Sequence, residues 1–268
     1  MKKKIISAAI ATAMCASMIP APSMAYADGT EDTEYSMVTS APFYSEDFEE
    51  NGFVDMAKTN ENGWTYNPGN GAAFDCGNNF NNVQTGSNMI RFCGTQWDDS
   101  SLELNLKQSA IAKGIDETVY DGYMTDNIAV SFQYAATADS NIGNKQDGSR
   151  NMIELLTDDG KPFMAFEAYT KDKNSDDITL NLIALNESKT ENVRYELAKG
   201  ASNIFDVLHE VTVYVNNDDN TYQVKVGADT LDIGNFGAWI PMSTSDDVGA
   251  ASQASDAKVG SIKIKNVH

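Results

Sequence analysis

The residues best suited to acid–base chemistry in this chain are two glutamates, Glu154 in NMIELL and Glu167 in FMAFEAY. Glycoside hydrolysis needs two carboxyl groups facing one sugar linkage, one acting as acid and the other as base or nucleophile. These two flank Asp158-Asp159-Gly160-Lys161, and Asp-Gly between apolar runs signals a hairpin. Pairing about that turn sets Glu154 near Met164 and Glu167 near Asn151, so the carboxylates are offset along the sheet rather than opposed. The competing reading makes them solvent-facing or edge charges. Nucleophilic chemistry has less support. No G-x-S-x-G elbow occurs, His209 opens a strand, and His268 is the last residue. A Cys–His pair would need an unbridged thiol.

Binding is better supplied. Sugar rings stack on aromatic faces while nearby polar groups hold their hydroxyls. Trp97, in GTQWDDSS, sits in a polar loop beside Asp98 and Asp99, where an apolar ring is either a lid on the core or a contact residue. Trp64, with Tyr66 in NGWTYNPGN, offers the same choice, whereas Trp239 in NFGAWIPM has core neighbours. A calcium loop is suggested by DKNSDD at 172–177. It has Asp177 where the EF-hand turn requires glycine and Ile183 where it requires glutamate, so it reads as a solvated turn. Two cysteines, Cys76 and Cys93, remain outside the N-terminal segment. An exported chain permits a disulfide between them, with free thiols as the alternative.

The elements that must position these groups are mainly strands. In NIAVSFQYAA (127–136), Ile128, Val130, Phe132 and Tyr134 form a heavy face, and Ala129, Ser131, Gln133 and Ala135 a light one. EVTVYVNNDDNTYQVKVG reads as a hairpin turning at 216–220. Further strands are expected at 43–48, 87–93, 100–106, 178–185, 192–198 and 258–266. NPGNG (67–71) and DCGNNFNN (75–82) read as turns, and 107–115 and 202–208 are the helix candidates. Many short strands and few helices predict an all-β, two-sheet antiparallel sandwich. The length suits a jelly roll better than an immunoglobulin-type domain.

The N-terminus reads as an export signal. Lys2, Lys3 and Lys4 precede an apolar run from Ile5 to Ile19, too short to span a bilayer, and Ala25-Tyr26-Ala27 supplies an A-x-A site. Cleavage is expected after Ala27, giving a secreted protein. The organisation is then a signal peptide at 1–27, an irregular lead at 28–42 and one β-sandwich domain at 43–268. The net charge of −20 belongs to the whole chain, and removing the three N-terminal lysines makes it more negative. So acidic a protein is repelled by nucleic acid and anionic lipid, and no later segment is long and apolar enough for membrane insertion.

The segment FYSEDFEENG…NGW (43–64) resembles the opening of many bacterial carbohydrate-active β-sandwich modules, and HEVTVYVNNDDNTYQVKVGADTL (209–231) and VGSIKIKNV (259–267) resemble the late hairpin and closing strand of concanavalin A-like lectin/glucanase jelly-roll domains of secreted bacterial proteins. That resemblance implies the fold and a polysaccharide or glycan partner. It also implies a structural calcium near the first and last strands, for which Glu46, Asp47, Glu49 and Asp256 are the available ligands. The family's usual closing aspartate is replaced by Gly260-Ser261. The catalytic E-x-D-x-x-E or E-x-D-x-E arrays of its glucanases are absent, as is the Arg/Gln/His/Tyr cluster of its lyases. The expectation is therefore a non-catalytic, lectin-like protein binding extracellular or cell-wall glycan. A divergent glycosidase or lyase using Glu154 or Glu167 is one alternative. A surface adhesion module with a protein partner is the other.

Overall fold

The structure, a computed structural model, describes residues 9–20, 45, 48, 60–69, 73–80, 83–93, 100–124, 127–137, 148–170, 172, 179–199, 209–227, 229–233 and 236–267. They form two sheets. The first runs in the order β13 (Asp229–Thr230), β12 (Thr221–Val226), β11 (His209–Asn216), β6 (Ile128–Thr137), β1 (Ala9–Pro20), β4 (Val83–Cys93), β3 (Ala73–Phe80), with β14 (Ile240–Pro241) also paired to β12. The second runs β15 (Gly249–Ala250), β10 (Glu191–Lys199), β9 (Thr179–Leu185), β8 (Pro162–Thr170), β7 (Ser149–Thr157), β16 (Val259–Val267), β5 (Ser101–Asn105), β2 (Trp64–Asn67). The strand pairs are antiparallel throughout.

Alternation explains the packing. Ile128, Val130, Phe132 and Tyr134 are all buried, and opposite three of them on β11 stand Val215, Val213 and Val211. From the second sheet, Phe166 meets Phe132 edge-on and Tyr134 at a tilt, each at 6.3 Å between ring centroids. Phe163 meets Tyr222 at 6.0 Å. A single buried apolar cluster thus draws on both sheets, as a sandwich requires. Burying one such aromatic contributes roughly 2–3 kcal/mol. At the β11–β12 turn, the Asn216 side-chain oxygen accepts from the amides of Asp218 (3.0 Å) and Asp219 (3.1 Å), the local bond that makes Asn a turn former.

The candidate at 107–115 forms α1 (Leu106–Ala112), capped by Asn105, whose side chain accepts from the Gln108 amide at 2.9 Å. A second helix, α2 (Glu117–Tyr123), lies outside the two helix candidates and starts at its cap Asp116, whose side chain accepts from the Thr118 and Val119 amides. Residues 75–80, expected as turn, belong to β3, because cross-strand pairing to β4 overrides the weak strand preference of Asn and Gly. Gly63 has φ +86°, and a Cβ there would lie 2.6 Å from the Ser109 amide nitrogen, so glycine is required where β2 begins beside α1. The candidates at 43–48, apart from Ser45 and Phe48, and at 202–208 lie outside the described residues.

Candidate functional site

The outer face of the second sheet, turned away from the core, carries both glutamates. Their placement corrects the expected register. At the turn end Leu156 pairs with Pro162, as turn-centred counting predicts. A bulge then takes up Phe163, and Leu155 pairs with Met164, Glu154 with Ala165 and Met152 with Glu167. A one-residue slip turns every side chain of a strand to the other face. Here it brings Glu154 and Glu167 to one face as diagonal neighbours on β7 and β8, positions typically about 7–8 Å apart.

Each glutamate has its own set of partners. Glu167, fully buried, accepts from Arg194 Nε at 2.6 Å, Arg194 Nη2 at 2.9 Å and Asn181 Nδ2 at 2.9 Å, and Arg150 Nε lies 3.2 Å away. The Arg194 guanidinium also stacks 4.5 Å above the Tyr169 ring. Glu154, 2 % exposed, lies 2.7 Å from Lys265 Nζ. Lys265 also binds Asp246, so the two carboxyl groups share one ammonium. Burial, then the bond to Asp246, pushes the Glu154 pKa up to about 8 against the pull of Lys265. For Asp246, burial acts upward, but the bonds from Glu154 and Lys265 outweigh it and bring the pKa down to about 2. The opposite shifts favour one proton held within the pair over two bare carboxylates beside a single lysine.

The segment 242–251 seals this face. Asp246 holds Lys265, and Asp247 Oδ1 accepts from Arg150 Nη1 at 2.5 Å. The buried Asn192 side chain donates to the carbonyls of Ser245 (2.6 Å) and Asp247 (3.1 Å) and accepts from Ser243 Oγ (2.8 Å). These contacts form a strap across β7, β10 and β16.

Beside the strap lies an open cleft of about 490 Å³, bounded by the β7–β8 turn and residues 252–257. Thr157, Asp158, Asp159, Lys161, Thr244 and Asp256 supply much of its polar wall, and none of the described residues lining it is aromatic. Asp159 pairs with Lys161 at 2.5 Å, with both side chains more than half exposed. The turn is fixed by close packing against β16: a Cβ on Gly260 would lie 2.5 Å from Asp158 Cα and 2.7 Å from the Thr157 carbonyl.

Other sequence candidates fall elsewhere. Trp64 is 1 % exposed, and its ring lies 6.2 Å from that of Phe48; its indole face is in the core, with no surface for a sugar. Tyr66 is half-buried against the same core. Trp239, expected in the core, is only half-buried. Trp97, Asp98 and Asp99 lie outside the described residues, as do Glu46, Asp47 and Glu49. Asp256 is exposed on the cleft wall, at φ +54°. Among the described residues no three His, Cys, Asp or Glu side chains gather as a metal set. Cys76 pairs with Ile90 and Cys93 with Ala73, which sets the two cysteines three ladder positions apart. Three positions along a strand are about 10 Å.

No family model matches the chain, and no curated protein or solved structure shows a significant match. Function must be argued from the geometry alone.

Proposed function

We propose that this protein is a secreted, non-catalytic, carbohydrate-binding β-sandwich of the concanavalin A-like jelly-roll type, with its glycan held in the cleft between the β7–β8 turn and residues 252–257. The observation that carries this reading is the cleft's lining of hydroxyls and carboxylates, in a volume typical of small-ligand sites. Vicinal sugar hydroxyls match such a lining, each acting as both donor and acceptor. Trp97 remains the aromatic contact assigned from sequence. The enzymatic alternative has a specific feature in its favour, the gathering of Glu154 and Glu167 on one face. However, their exposures of 2 % and 0 % leave no path for a substrate while the strap is closed.

A glycan-array screen of residues 28–268, with calcium and with chelator, tests the proposal. Binding abolished by Asp158→Asn or Asp256→Asn in a folded protein supports the cleft. Loss in Trp97→Ala alone moves the site to 94–99, and chelator sensitivity supports a calcium ion. Absence of binding to every glycan overturns the reading in favour of a protein partner. Secretion is tested by N-terminal sequencing of protein recovered from the medium, with Asp28 expected first. Processing there removes β1, which is antiparallel to both β4 and β6. Those two strands run parallel to each other, so β1 is the strand that joins them in an antiparallel sheet.

No helix among the described residues is long and apolar enough to cross a membrane.

A further inference from the structure

We propose that residues 242–251 form a pH-responsive strap, latched over the outer face of the second sheet where Glu154 and the strap's Asp246 meet on the one ammonium of Lys265. The geometry is that of a latch rather than a surface loop. Two consecutive aspartates of the strap reach two different strands, Asp246 to Lys265 on β16 and Asp247 to Arg150 on β7. Asn192 on β10 fixes the strap backbone between them. Beneath it Glu154 is 2 % exposed, so its carboxyl reaches water only when the strap lifts.

The groups facing Glu154 define what its proton does. From β16, Lys265 makes the contact at 2.7 Å, and Lys263 stands opposite in the ladder but lies 3.6 Å from Glu103 on β5. From the strap comes Asp246. The direct neighbour on β8 is the uncharged Ala165, and the diagonal one is Glu167, itself held by Arg194 and by Arg150 of Glu154's own strand. One lysine therefore serves two carboxyl groups, and the second negative charge is avoided only while Glu154 keeps its proton. Once the strap lifts, Glu154 becomes an ordinary exposed carboxyl and releases it. The closed form binds that proton more tightly, so rising pH favours opening. The effect develops between the ordinary carboxyl value of 4.5 and about 8 and is complete above it. On the acid side Asp246, depressed to about 2, stays ionised, and the latch is tightest near pH 4–5.

Ser243 and Thr244 both enter the strap and line the cleft, so a ligand bound there is held more tightly in mild acid. This consequence rests on the cleft being a binding site; the latch does not.

Hydrogen exchange on the intact chain tests the latch without any ligand. After correction for intrinsic exchange, protection of the amides at 244–250 is expected to fall at least about 10-fold between about pH 5 and about pH 8. In Glu154→Gln, whose amide stays neutral, the profile is expected to be flat and the strap protected throughout. An equal fall in that variant, or no fall in the unsubstituted protein, overturns the proposal. Should Glu154→Gln not fold, the carbon-13 titration of the Glu154 carboxyl decides. A midpoint near 8, with strap amides shifting in step, supports the latch, and a midpoint near 4.5 overturns it.

Discussion

Glu154 and Glu167 share a residue type, a sheet face and near-complete burial, yet their surroundings differ in kind. Glu167 is surrounded by donors alone: two guanidinium groups and an amide occupy both its oxygens. Among the described residues Glu154 has one close cation and shares it with a second carboxyl, an arrangement that favours the neutral acid. A buried carboxyl can be held as an ion with paired cations or as a neutral acid, and neighbours two positions apart on adjacent strands show both solutions.

The largest effect expected is from Glu167→Ala. It removes the buried carboxylate on which Arg194 and Arg150 converge and is expected to destabilise the fold by about 3–5 kcal/mol in denaturant titration. A loss below about 1 kcal/mol would mean the arginines find water, and the contrast with Glu154 would fail. Glu154→Gln ranks next. Because the folded-state pKa is raised, the stabilisation from Glu154 is complete below about 4.5 and is lost as pH rises to about 8. The variant should match the unsubstituted protein near pH 4.5 and exceed it near pH 8 by up to a few kcal/mol. Equal stabilities at both pH values would show that Glu154 ionises normally. Gly260→Ala is expected to cost about 1–3 kcal/mol, because the new Cβ meets backbone rather than a movable side chain. Smallest is Asp159→Asn, which breaks an exposed ion pair and should leave the denaturation midpoint unchanged while weakening glycan binding at the cleft. It thereby separates a group that serves the cleft from one that serves the fold.

Much of the architecture was legible because period-2 alternation reports which face of a strand is buried. Ile128, Val130, Phe132 and Tyr134, with Val211, Val213 and Val215, entered the core as that pattern predicts. Jelly-roll connectivity remains part of the proposal. The site was far less legible. Trp64 lies in a polar stretch that resembles a binding loop, but its ring is enclosed by Phe48 and the core, a contact made only in three dimensions.

The sequence by itself determined the all-β class, the main hairpins and the acidic charge, since periodicity, turn chemistry and composition are local properties. Tertiary structure decided what the two glutamates are. The bulge at Phe163 set their common face, Arg150 and Arg194 converged on one of them, and the strap brought Asp246 to the other from about ninety residues away. A carboxyl's protonation depends on burial and on charges within a few ångströms, and only the folded chain brings those together.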